Sequence, residues 1–363
     1  MPKLPPEIVL AVAEHLHPVA SHRSTLLSLC LVDKKTCQLV KLYLYRYVEL
    51  NSQNAIVKFC RTLTVLCPEN AIYVVALYIY PLTWRSGTCS TDQIRKDLVP
   101  DLRSLLDAVP NLKHLSLSIT RKALVLLLVD LKPAFRLRTM VHSGDMSGPL
   151  LKFLNTQPTL VNHGWYGLPS WKMCRLLQEN MNLDHSFFGN LRAATGPSNF
   201  LAALMLFRPL TSITILICTW RCKSPSKYDG ECINREEIMG WTRFMCGAYK
   251  AGLKLMPVCD SLREICIAET QLKRPSSAYV NVKNYMRAYL LFLLHRFERI
   301  ERLEIVCLEP LPQGATAFTI HPWLLEMNTM SAWNQIAPSL KYISVYGHVI
   351  PQVAQNDLQA KLL

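Results

Sequence analysis

Apolar positions along this chain change their period near residue 50. Before that point they recur at helical spacing, with Ile8, Val9, Val12, Ala13 and Leu16 marking one face of a first helix. Pro5 or Pro6 suits its first turn, where a missing N–H costs no intrahelical bond, and Glu7 puts negative charge where a helix N-terminus favours it. Pro18 ends this helix, and Ser21-His22-Arg23-Ser24 reads as a polar linker whose Ser24 is placed to cap the next one. A second series follows at Leu27, Leu31, Lys34 and Gln38, with Leu29, Val32, Leu39 and Val40 beside it. A helical pair this small cannot bury all its apolar faces alone, so some of these side chains require a partner.

Beyond residue 50 the period falls to two. Short alternating segments recur, most of them introduced by a Leu that follows Asn, Pro, Ser or Thr. Pro110-Asn111-Leu112-Lys113-His114-Leu115-Ser116-Leu117 and Pro158-Thr159-Leu160-Val161 are the first. Leu210 to Leu216, Ser261 to Ile267, Ile300 to Ile305 and Ser339 to Val345 continue the series. The expected strands cover 112–119, 160–166, 212–218, 262–268, 301–307 and 340–346, with further candidates at Ile72–Tyr80, Leu137–Val141 and Leu183–Phe188. Helical stretches such as Leu98–Ala108, Leu150–Asn155 and Tyr285–Phe297 lie between them, so a mostly parallel sheet with helices on its outer face and right-handed crossovers is expected. From Leu112 through Leu137, Leu160, Leu183 and Leu210 the steps are 25, 23, 23 and 27 residues; later steps, Leu210 to Leu262 to Leu303 to Leu340, are 52, 41 and 37.

Two resemblances follow from these residues. Leu4-Pro5-Pro6-Glu7-Ile8-Val9, then Leu26-Leu27-Ser28-Leu29-Cys30-Leu31-Val32-Asp33-Lys34-Lys35, then Leu44-Tyr45-Arg46, resembles an F-box, in particular the F-box-like variants common in fungi. It departs from many F-boxes at Thr36-Cys37, where a Trp is frequent, and at Tyr45, which also replaces a frequent Trp. The shorter steps fall in the range of leucine-rich repeats, although the usual Asn of that consensus is mostly missing. The implied fold is α/β, a small N-terminal helical F-box over 1–50 followed by an irregular leucine-rich-repeat-like strand–helix solenoid over 51–363. The resemblance implies docking on a Skp-type adaptor through Leu4, Pro5, Ile8, Leu27, Leu29 and Val32. The chain would then be the substrate-recognition subunit of a cullin–RING (SCF-type) ubiquitin ligase, with the repeats holding a protein target. Two alternatives stay open: a protein-interaction module whose F-box-like region only caps the repeats, and an undetected enzyme.

Composition narrows the field. Half of the 363 residues are hydrophobic and only 18% charged, which excludes a disordered tail. No apolar run reaches the roughly 18 residues of a membrane span, so no membrane association is expected. Thirteen cysteines, an odd number without a Cys-x-x-Cys pair or a glycosylation acceptor, point to reduced thiols and a cytoplasmic or nuclear protein. Cys218, Cys222, Cys232 and Cys246 match no common zinc spacing, and neither metal nor cofactor is expected. Catalytic motifs are missing: Gly247 and Gly252 have phosphate-loop spacing, but Leu253 stands where lysine should follow, and His15, His17 and His22 form no recognisable set. The net charge of +14 attracts acidic partners, so an acidic or phosphorylated target is expected at Lys273, Arg274, Arg287, Arg299 and Arg302. No nucleic-acid reading element accompanies that charge. Polar insertions at Arg221–Asn234, Lys273–Ser277 and Glu309–Pro322 suit either binding loops or solvated connectors.

Overall fold

The computed structural model of the chain describes residues 5–16, 23–80, 96–143, 146–166, 171–205, 207–218, 261–270, 290–291, 294, 297, 299–307, 311, 313–314, 316–320 and 322–351. They form an α/β fold in two compact units, Met1–Gly167 with Ser186–Asn190, and Leu168–His185 with Leu191–Leu363. The boundary expected at residue 50 therefore falls inside the first unit.

The first unit opens with three helices, α1 (Pro6–His15), α2 (Arg23–Cys30) and α3 (Lys34–Arg46). Ser24 does not cap α2, because the helix already begins at Arg23; its carbonyl instead accepts a hydrogen bond from the Ser28 hydroxyl within the helix. The apolar series after it breaks at Asp33, whose carboxylate accepts from the Thr36 N–H at 2.9 Å and so starts α3. Without an intervening turn, α3 runs into strand β1 (Tyr47–Leu50). Parallel strands β2 (Ala76–Ile79), β3 (His114–Leu117), β4 (Thr139–His142) and β5 (Asn162–Trp165) follow in chain order. Helices α4 (Gln53–Arg61), α5 (Val99–Ala108), α6 (Arg121–Leu128) and α7 (Gly148–Asn155) alternate with them, each burying an apolar face.

In the second unit, α8 (Trp171–Leu183) and α9 (Ser198–Met205) flank strand β6 (Ala193–Gly196). Parallel strands β7 (Ser212–Cys218), β8 (Glu264–Thr270), β9 (Arg302–Cys307) and β10 (Tyr342–Val345) then succeed one another. The antiparallel strand β11 (His348–Val349) closes the edge. Tyr346 and Gly347, at φ 48° and 83°, make the two-residue turn before it, a geometry whose twist matches the flanking strands.

One rule relates sequence to strand from β2 to β10. A buried apolar residue sits two positions before the first strand residue: Val74, Leu112, Leu137 and Leu160 in the first unit, and Leu191, Leu210, Leu262, Ile300 and Leu340 in the second. The carbonyl one residue later accepts two N–H groups of the next strand; that of Lys113, for example, takes Arg138 N at 2.7 Å and Thr139 N at 3.0 Å. The polar residue before the buried one has a matching duty. The hydroxyls of Thr159, Ser261 and Ser339 donate to the carbonyls of Leu137, Leu210 and Ile300 at 2.8, 2.9 and 2.8 Å. Asn111 and Asn190, with longer arms, reach the carbonyls of Ile72 and Pro158 at 2.7 and 2.8 Å. That is why Leu in this chain so often follows Asn, Ser or Thr: the pair fixes a buried anchor and satisfies a carbonyl beside it.

One expected strand was misplaced. Leu183 ends α8 and is 87% exposed, while Phe187 and Phe188 are adjacent buried residues in a turn, with Phe188 at φ 60°. The left-handed backbone of Phe188 lies outside the extended region that a strand requires. The strand is β6 instead, anchored by Leu191, so the steps from Leu112 to Leu210 are 25, 23, 31 and 19 residues. The other expected strands lie where β2, β3, β4, β5, β7, β8, β9 and β10 form. Most of Tyr285–Phe297 lies outside the described residues.

A buried amide adds a test of this packing. The Gln157 side-chain oxygen accepts from Leu137 N at 2.7 Å, and its nitrogen donates to the Thr156 hydroxyl at 3.0 Å. Gln157→Leu should cost about 1–3 kcal/mol in chemical denaturation, because it orphans a buried backbone donor. An unchanged midpoint would mean that water reaches that N–H.

Candidate functional site

The three-helix module is built around its own small core. Val9 and Ala13 of α1, Leu26 of α2 and Val40 of α3 are buried together, with Leu16, Leu29, Cys30, Tyr43 and Leu44 packed against them. Pro5 and Pro6 shape the entry: the Pro5 carbonyl accepts from Ile8 N and Val9 N at 3.1 and 3.2 Å. Burial, and then the neighbouring Cys37, push the Cys30 thiol up, so it stays a neutral packing group.

The remaining apolar residues of these helices are not buried. Ile8 is 48% exposed, Leu27 48% and Val32 67%, and Pro5 is also exposed. Leu29 differs, being half-buried against the core. Leu4 lies outside the described residues. Three further side chains are exposed, Val12, Leu31 and Leu42; the first two belong to the same apolar series, but the motif resemblance assigns none of the three to adaptor contact. Their positions follow from geometry: Val12 is one helical turn beyond Ile8, and Leu31 one beyond Leu27. What divides each series is which side the three-helix core occupies, and that is a tertiary fact.

The basic set of the second unit looks different in place. Lys273, Arg274 and Arg287 lie outside the described residues, and so do Cys222, Cys232, Cys246, His17, His22, Gly247, Gly252 and the insertions at Arg221–Asn234 and Lys273–Ser277. Arg299 is exposed before β9. Arg302, on β9, pairs with Glu304 and stacks its guanidinium 4.3 Å over the Tyr342 ring. Its hydrogen bond to Glu304 pushes it further up, fixing its charge. In the neighbouring row Glu301 bonds Lys341 at 2.8 Å and faces Arg263 at 3.7 Å. Lys341 first, then Arg263, hold the Glu301 carboxyl below its ordinary range. Positive and negative groups thus alternate across the strands.

Among the described residues no group of three or more His, Cys, Asp or Glu is placed to hold a metal ion, and no helix is long and apolar enough to cross a membrane. Burial pushes the Cys60, Cys174 and Cys266 thiols up to about 12, 11 and 11, which suits packing rather than nucleophilic attack. No protein-family model matches this sequence, and no curated protein matches it.

Proposed function

We propose that this chain is the substrate-recognition subunit of a cullin–RING ubiquitin ligase, docking on a Skp-type adaptor through an F-box-like module and holding a protein target on leucine-rich-repeat-like strand–helix units. One observation carries the reading: α1, α2 and the turn after α2 expose Ile8, Leu27, Leu31 and Val32 while a separate core of Val9, Ala13, Leu26 and Val40 holds the helices together. The exposed set includes Pro5, Ile8, Leu27 and Val32, which the motif resemblance assigns to adaptor contact. The chain would contribute proximity and orientation, and its partners the chemistry. The acidic or phosphorylated target belongs to the same reading and draws support from the chain's net charge of +14, although Glu304 already meets the charge of Arg302.

A second reading has its own support. Because α3 continues into β1 and packs on the short helix Pro68–Tyr73, the module also serves as the end cap of the first unit's sheet. Deleting residues 1–50 would therefore remove β1 as well, and point substitutions make the better test. The double variant Ile8→Ala, Leu27→Ala should lose adaptor co-purification by about thirtyfold or more, since truncating an interface anchor commonly costs about 2 kcal/mol. Its thermal midpoint should stay put, both side chains being half exposed. Undiminished co-purification would leave only the cap.

A further inference from the structure

The first unit carries chemistry that adaptor docking does not use. On the sheet face opposite the buried rows, β1 presents Tyr47 and Glu49, and β2 and the residue after it present Tyr78 and Tyr80. Glu49 is the register partner of Tyr78, and the Tyr78 and Tyr80 rings lie 6.1 Å apart, 21° from parallel. The Tyr80 hydroxyl shares a hydrogen bond with Ser116 on β3. Burial first, and then the surrounding tyrosines or Glu49, push both phenols up, so they stay neutral at physiological pH. Glu49 is exposed, and among the described residues no Lys or Arg lies within ion-pair distance of it. Arg46, the last residue of α3, sits 5.9 Å over the Tyr47 ring.

We propose that Tyr47, Glu49, Tyr78 and Tyr80 form a docking surface for a cationic side chain, lysine or arginine, of a protein target. Charge complementarity selects that occupant. A carboxylate beside aromatic faces attracts an ammonium or guanidinium twice, through its own charge and through the ring quadrupoles. Half-buried tyrosines have little conformational freedom left to lose on binding. The chain as a whole carries +14, so a cation drawn here answers to local chemistry rather than to the overall field. The surface also differs in sign from the basic set around Arg299. It rests on the receptor reading only for the statement that a protein brings the cation.

The test uses the full chain and a labelled alternating Lys-Gly peptide, followed by fluorescence polarisation at physiological salt, with an alternating Glu-Gly peptide as control. The Lys-Gly peptide should bind and the control should not. Glu49→Gln and Tyr78→Ala should each weaken binding about tenfold, whereas Tyr78→Phe, which keeps the ring face, should stay within about twofold. Glu49 is exposed, so Glu49→Gln should leave the thermal midpoint unchanged. The inference is overturned if the Lys-Gly peptide does not bind, if the control binds equally, or if Glu49→Gln binds as well as the parent chain. Adaptor recovery, measured with the Ile8 and Leu27 variants, reports on the ligase reading alone, so either can fail without the other.

Discussion

Leu160→Ala should lower the unfolding free energy by about 2–5 kcal/mol, while Leu183→Ala should change it by no more than about 0.5 kcal/mol. By sequence the two leucines are equivalent steps of one series. In the fold Leu160 is 1% exposed at the entrance of β5, and Leu183 is 87% exposed at the end of α8. Truncating Leu160 removes buried methyl groups and leaves a cavity beneath a strand whose first hydrogen bond, from Val161 N to the Arg138 carbonyl, begins one residue later. Chemical denaturation of both variants separates them cleanly. Similar losses at both positions would mean that the strand after β5 starts near residue 183 and that β6 is misassigned.

The second large effect is on acid stability. Along the buried rows of the first unit the register runs Leu77, Leu115, Met140, His163, and beside it Ile79, Leu117, His142, Trp165. Two imidazoles thus occupy places that other strands give to aliphatic side chains, their rings 5.2 Å apart, with Phe188 5.3 Å from His163. Complete burial, then the neighbouring His142, hold His163 well below its ordinary 6.5, against a smaller opposing hydrogen bond at the Met140 backbone. The folded state therefore keeps His163 neutral where the unfolded chain binds a proton. Stability is full above the unfolded value and falls as pH drops through it, by about 1.4 kcal/mol per pH unit for this one group. Denaturation midpoints of the parent chain should decline steadily below about pH 6.5, and His163→Leu should flatten that decline. A parent chain equally stable on both sides of that pH, or a variant with the same slope, would refute the account.

The sequence carried most of the strand positions because each depends on a local pattern, a buried anchor followed by alternation, that is visible without the fold. Where the pattern was thin it misled. β6 is Ala193-Ala194-Thr195-Gly196, with too little apolar surface to stand out beside Phe187 and Phe188. β1 went unread because it leaves α3 without a turn residue to mark the change of period. The candidate adaptor residues were legible as apolar, but not which of them the core would claim: Leu29 turns toward it and Leu31 away. The tyrosine and Glu49 surface was not legible at all, since it joins two strands about thirty residues apart through their register. Sign alternation on the second unit was hidden for the same reason, because Arg302 and Tyr342 meet only across a strand pair.

The fixed two-residue offset between anchor and strand has a bearing on how this protein tolerates change in length. β7 and β8 keep seven register pairs although Cys218 and Glu264 are far apart in the chain, whereas β4 and β5 are separated by a much shorter segment. Alignment between neighbouring strands is therefore written into each anchor and its polar neighbour, not into the spacing from one anchor to the next. Doubling a connection costs only about 0.6 kcal/mol in closure entropy. Residues can accordingly be gained or lost between strands without shifting the ladder, and a search for one constant period in such a chain looks for a quantity that the fold does not hold constant.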